Sequence, residues 1–81
     1  MQKSSIWITS IDPPINGGTL WCGFAESTNG DRYKWMASPE HDGACCFRED
    51  ENGFLLQEKA SEALVTAVQA AIRGAILAAA H

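Results

Sequence analysis

Two hydrophobic periods divide the chain, a period of two over its first two thirds and one near 3.6 over the last. Around residues 60–80, Leu64, Val68, Ala71, Ile72 and Ala75 gather on one side of a helical projection, with Glu58, Glu62, Thr66, Gln69 and Arg73 opposite. Ala, Leu, Gln, Glu and Arg dominate the segment, and its one internal breaker, Gly74, costs about 1 kcal/mol against alanine. A single long amphipathic helix is predicted. Ser61 is its expected N-cap, with Glu58 inside an earlier first turn as the alternative. Glu62, Gln69 and Arg73 interrupt the apolar run, so no stretch of about 20 apolar residues exists and no membrane span is expected.

Upstream, the alternation predicts strands over 6–11, 19–26, 32–37 and 44–47. Asp12-Pro13-Pro14 ends the first, because proline cannot donate to a ladder. Asn16-Gly17-Gly18 supplies a turn, and Asn29-Gly30 marks a hairpin of the type I′ kind. Residues 54–56 fit a last edge strand and an apolar lead-in to the helix equally well. The expected fold is α+β: a three- to four-stranded antiparallel sheet, then one long C-terminal helix on one face, in a single small domain over 1–81. The helix is expected to bury Ile6, Ile8, Leu20, Phe24, Tyr33 and Trp35. Trp7, Trp21 and Met36 then fall on the other face.

Small side chains flank the helix's apolar stripe. Packing on a sheet of the same chain is the simpler use for them. A helix–helix dimer seam through Ala63, Ala67, Ala70, Gly74, Ile76 and Leu77 is the other, leaving monomer and homodimer both open.

Charge changes the picture through its distribution. The 81 residues carry a formal net charge of −4, and 40–62 hold seven acids against two bases. A phosphate-backbone binder needs the opposite sign, so direct nucleic-acid binding is disfavoured, with Arg32 and Lys34 a local basic exception. Three cysteines, Cys22, Cys45 and Cys46, are an odd number with two adjacent, which suits reduced thiols and a cytoplasmic location better than a disulfide framework. No charged segment followed by an apolar one opens the chain, so no signal peptide is expected.

Candidate chemistry is sparse. His41, Asp42, Cys45, Cys46 and His81 lack the paired spacing of a zinc site, and no metal or cofactor is expected. Thiol catalysis would need a base beside its nucleophile, and only His41 and His81 are on offer. A buried cysteine acting as a small hydrophobe is the simpler reading. No glycine-rich phosphate loop is present. A thiol- or zinc-dependent enzyme therefore ranks last, and a binding protein first. Glu40, Asp42, Glu49, Asp50, Glu51 and Glu58 would supply an acidic partner-binding surface, and Trp7, Trp21 and Trp35 its aromatic anchors.

In size, acidity, strands-then-helix order and want of catalytic residues, the chain resembles the small phage-encoded anti-CRISPR inhibitors, a resemblance of kind without a shared motif. It implies a protein or ribonucleoprotein partner, namely a CRISPR–Cas effector whose nucleic-acid-binding surface is blocked. Over residues 29–72 the chain also resembles HicB-type antitoxins, through Asn29-Gly30 before a strand, Pro39-Glu40, Gly43 before Cys45, and Glu62-Ala63-Leu64 opening the helix. Asp42 stands where that family has a proline, and 47–56 lengthen the connection. That resemblance implies a small basic RNase toxin as partner.

Overall fold

The computed structural model describes residues 5–15 and 17–80. Residues 1–4, Asn16 and His81 lie outside them, and with them the expectations of a turn beginning at Asn16 and of a role for His81. Five strands precede one helix: β1 (Ile6–Asp12), β2 (Trp21–Ser27), β3 (Arg32–Ala37), β4 (Cys45–Glu49), β5 (Leu55–Lys59) and α1 (Glu62–Ala79). The strands form one antiparallel sheet in sequence order, β1 to β5.

The sheet thus has one strand more than the sequence pattern predicted. The segment after Gly53 is an edge strand rather than a lead-in to the helix, and Glu58 lies within β5 rather than on the helix. Position 53 closes a tight turn that returns the chain along β4, whose open edge gives every other residue of 54–58 backbone partners. The helix starts only where the Ser61 hydroxyl accepts from the Leu64 N–H at 3.1 Å.

The Asn29-Gly30 and Asn52-Gly53 turns have one design. Ser27 N–H donates to the Asp31 carbonyl and Gly30 N–H to the Ser27 carbonyl, so the loop is three residues long, with positive φ (+87°) at Gly30. Asp50 N–H to Phe54 and Gly53 N–H to Asp50 repeat the pattern, with φ of +85° at Gly53. This replaces the expected two-residue type I′ turn: β2 runs on to Ser27, and the extra residue is taken up by a glycine in the left-handed region.

Cross-strand partners share a face, so the register assigns every side chain. Ile6, Ile8, Ile11, Trp21, Gly23, Ala25, Tyr33, Trp35, Ala37 and Cys46 face the helix. A bulge between Ile8 and Ser10 brings Ile11 back to that face. Trp35, Leu64, Val68, Ile72 and Cys46 are the large side chains completely enclosed. Burying each of the apolar ones contributes roughly 1.5–3 kcal/mol.

β2 faces opposite to expectation. Phe24 lies on the side away from the helix, Leu20 precedes the strand and is exposed, and Trp21 packs against the core. Large residues were expected inward, yet space decides otherwise. A Cβ at position 23 would meet the Trp35 ring at 2.8 Å. Only the small residues of β2 fit beneath the indole and the helix. The Trp35 Nε1–H donates to the Phe24 carbonyl at 3.2 Å, fixing the ring across β2.

The helix runs over β1 and reaches β3, leaving the β4–β5 side of the sheet less covered. By length and composition alone it could cross a membrane. Its buried residues Leu64, Val68 and Ile72 instead lie against the sheet. Gln69, expected among the solvent-facing residues, points into the β3–β4 loop. Its Nε2 donates to the carbonyls of His41 at 2.9 Å and Gly43 at 3.0 Å, with that of Ser38 at 3.4 Å.

Candidate binding surface

The face turned away from the helix is built from three cross-strand rows. Trp7, Glu26 and Arg32 form the first; Ser10, Phe24, Lys34, Phe47 and Gln57 the second; Asp12, Cys22, Met36, Cys45 and Lys59 the third. Side chains directly opposite one another in antiparallel strands have Cβ atoms about 5 Å apart. Lys34 is therefore flanked on both sides by phenylalanines, and it is half-buried. Trp7 is 45% exposed and Phe24 51%, large fractions for aromatic side chains on a sheet. A shallow groove of about 290 Å³ runs between Phe24, Glu26, Arg32, Lys34, Glu49 and Leu55. Among the described residues the one ion pair within 4 Å is Arg48 with Glu58, so Arg32 and Lys34 meet no carboxylate at that distance. The face thus combines apolar rings with charges of both signs.

The predicted acidic surface is divided by the fold. Glu49, Asp50 and Glu51 sit at the β4–β5 turn, while Glu40 and Asp42 sit in the β3–β4 loop at the other end of β4. Four residues of extended strand, about 13 Å, separate the two groups. Asp50 is committed locally: its Oδ1 accepts from the Asn52 and Phe54 N–H groups, each at 2.9 Å. Glu58 faces the helix side, where Arg48 Nε donates to its Oε2 at 3.2 Å. That hydrogen bond, and the carboxylate charge, hold the Arg48 guanidinium above its ordinary pKa. Asp31, Arg32 and Arg48 line one cleft together with Glu49, Asp50 and Glu51, so bases interleave with the acids.

The three tryptophans have separate places. Trp7 is exposed on the open face, Trp21 is half-buried at the core margin, and Trp35 is 0% exposed. Trp35 is thereby corrected from a partner anchor to a core residue, because the helix and β2 enclose it. Sequence reading missed Phe24, Phe47 and Leu55 as residues of the open face; their alternation with Gly23, Cys46 and Leu56 was the available signal. On the helix, Ala63, Ala70, Gly74, Ile76 and Leu77 are exposed and Ala67 is half-buried.

Among the described residues no three His, Cys, Asp or Glu side chains converge as metal ligands would. Cys45 and Cys46 lie on opposite faces, Cys45 exposed and Cys46 buried. Burial pushes the Cys46 thiol up, and the Glu58 and Cys45 charges add to it; its Sγ–H donates to the Glu58 carbonyl at 3.3 Å. A raised thiol is a poorer nucleophile at neutral pH. No family model matches the chain, and neither the curated proteins nor the solved structures contain a significant match to it.

Proposed function

We propose that the protein is a small non-enzymatic inhibitor that docks on a partner protein or ribonucleoprotein through the helix-free face of its sheet. The concrete form of this reading is an anti-CRISPR-type inhibitor, acting in the cytoplasm, that covers the nucleic-acid-binding surface of a CRISPR–Cas effector. One observation carries the docking face: Trp7 and Phe24 are about half exposed, Phe24 directly beside Lys34, on a sheet face that no second layer covers among the described residues. Aromatic side chains ringed by charges are what interface hot spots are made of, and uncovered apolar patches mark interaction sites. The acidic turn at 49–51 borders this face through Glu49 and supplies the charge that would compete with a nucleic-acid strand.

Purified guide-RNA effector complexes, offered to immobilised protein, test the reading. Wild type is expected to retain the complex and to abolish its binding of target DNA. Phe24→Asp is expected to lose both, and Glu51→Lys to weaken them. Retention undiminished by Phe24→Asp removes the open face from the interaction. Retention of a small basic RNase in place of any effector moves the assignment to an antitoxin.

A further inference from the structure

The two outer strands of the sheet differ in how they meet solvent. β1 carries a bulge between Ile8 and Ser10 and runs into Pro13-Pro14, two devices that keep an edge from recruiting another strand. β5 has neither. Its register with β4 is unbroken from Cys45↔Lys59 to Glu49↔Leu55, all five of its residues are exposed, and it contains no proline. Leu55 and Leu56 are 48% and 47% exposed along it, and Phe54, just before it, is 67% exposed.

The direction of its free backbone groups follows from the turn. Asp50 N–H donates to the Phe54 carbonyl, so 50 and 54 form a hydrogen-bonded pair. Bonded and non-bonded pairs alternate along an antiparallel ladder. Leu56 and Glu58 therefore turn their N–H and C=O groups towards β4, whereas Leu55, Gln57 and Lys59 turn theirs outwards.

We propose that β5 pairs antiparallel with β5 of a second copy about a two-fold axis at Leu56, giving a continuous ten-stranded sheet. This register sets Leu55 against Gln57 of the second copy as bonded pairs, and Leu56 against its own counterpart as the close non-bonded pair. Moving the axis to Gln57 would set leucines against Glu58 and Lys59 instead. The charges choose the same partner and direction. β5 begins beside the acidic turn at 49–51 and ends on Lys59, so antiparallel self-pairing lays each Lys59 alongside the other copy's acids. Parallel pairing would stack like charges. The helix packs over β1 and β3 and leaves this edge clear, and the helix-free face is doubled in the assembly. None of this depends on the inhibitor reading.

Sedimentation and amide exchange by NMR at protein concentrations from about 10 μM to about 1 mM provide the test. At the upper end the mass is expected to be twice 8.8 kDa. Protection of the Leu55, Gln57 and Lys59 amides is expected to rise with concentration, while Leu56 and Glu58 stay protected throughout. Gln57→Pro removes an outward N–H and leaves the β4 ladder whole, so it is expected to give a monomer with unchanged circular dichroism. Leu77→Lys, on the helix, is expected to leave the dimer intact. Should Gln57→Pro not fold, the alternating protection of the wild type decides alone. A monomer at every concentration overturns the proposal, as do fast exchange at 55, 57 and 59 in a dimer and a dimer that only Leu77→Lys dissolves.

Discussion

The indole of Trp35 lies over Gly23, so close that a methyl group at position 23 would sit 2.8 Å from its Cζ2 carbon. The Ser10 carbonyl approaches the same point from β1, and the Trp35 Nε1–H reaches past it to the Phe24 carbonyl. Three strands are keyed together at one missing side chain.

Gly23→Ala is therefore expected to destabilise the fold by about 3 kcal/mol, the upper range for overpacking, because both neighbours are rigid. Urea unfolding followed by tryptophan fluorescence measures it. A loss below about 0.5 kcal/mol would mean that the ring does not occupy this site.

Gln69 fastens the β3–β4 loop to the helix. Gln69→Ala is expected to cost about 1–2 kcal/mol and to open the loop at 38–43 to protease. Gln69→Glu should be worse, since a carboxylate would face the same carbonyl oxygens. Limited proteolysis compared at matched fractions folded separates loop opening from global unfolding.

The adjacent thiols are expected to react differently. Cys45, exposed, should be alkylated by iodoacetamide in the native state at neutral pH; Cys46, enclosed with its pKa raised, should react only on unfolding. Because the folded pKa of Cys46 lies above its unfolded value, the neutral thiol favours the native state. Its contribution is complete below the ordinary thiol pKa of about 8.5 and is lost as pH rises through the folded value. Tyr33, raised by burial and then by Asp31 and Glu58, continues the decline above its ordinary value of about 10. Urea midpoints in reductant should fall from about pH 8.5 upwards in wild type, and the first part of that fall should vanish in Cys46→Ala.

Ser27 is buried, and its hydroxyl oxygen has no hydrogen-bond partner among the described residues. Ser27→Ala removes an unsatisfied polar group without altering the turn's backbone bonds, and a gain of up to about 1 kcal/mol is expected. A loss of that size in thermal or urea unfolding would show that the hydroxyl is satisfied, by water for example.

The kinds of element and their order were legible in the chain itself. Alternation and Asn-Gly turns marked the strands, and the spacing of Leu64, Val68 and Ile72 marked the helix, because these are local periodicities written in consecutive residues. Ser61 was legible as a cap for the same reason. The inward faces of β1 and β3 were legible too, through Ile6, Ile8, Tyr33 and Trp35; the tertiary fold decided that of β2. Size favoured Phe24 for the core, but Gly23 and Ala25 hold that side because Trp35 and the helix need the room. It also decided that 54–56 pair with β4, that Gln69 turns to a loop 26–31 residues away, and that the acids divide between two ends of the sheet. Each of these depends on which long-range neighbour fills the space, and a local pattern carries no information about that.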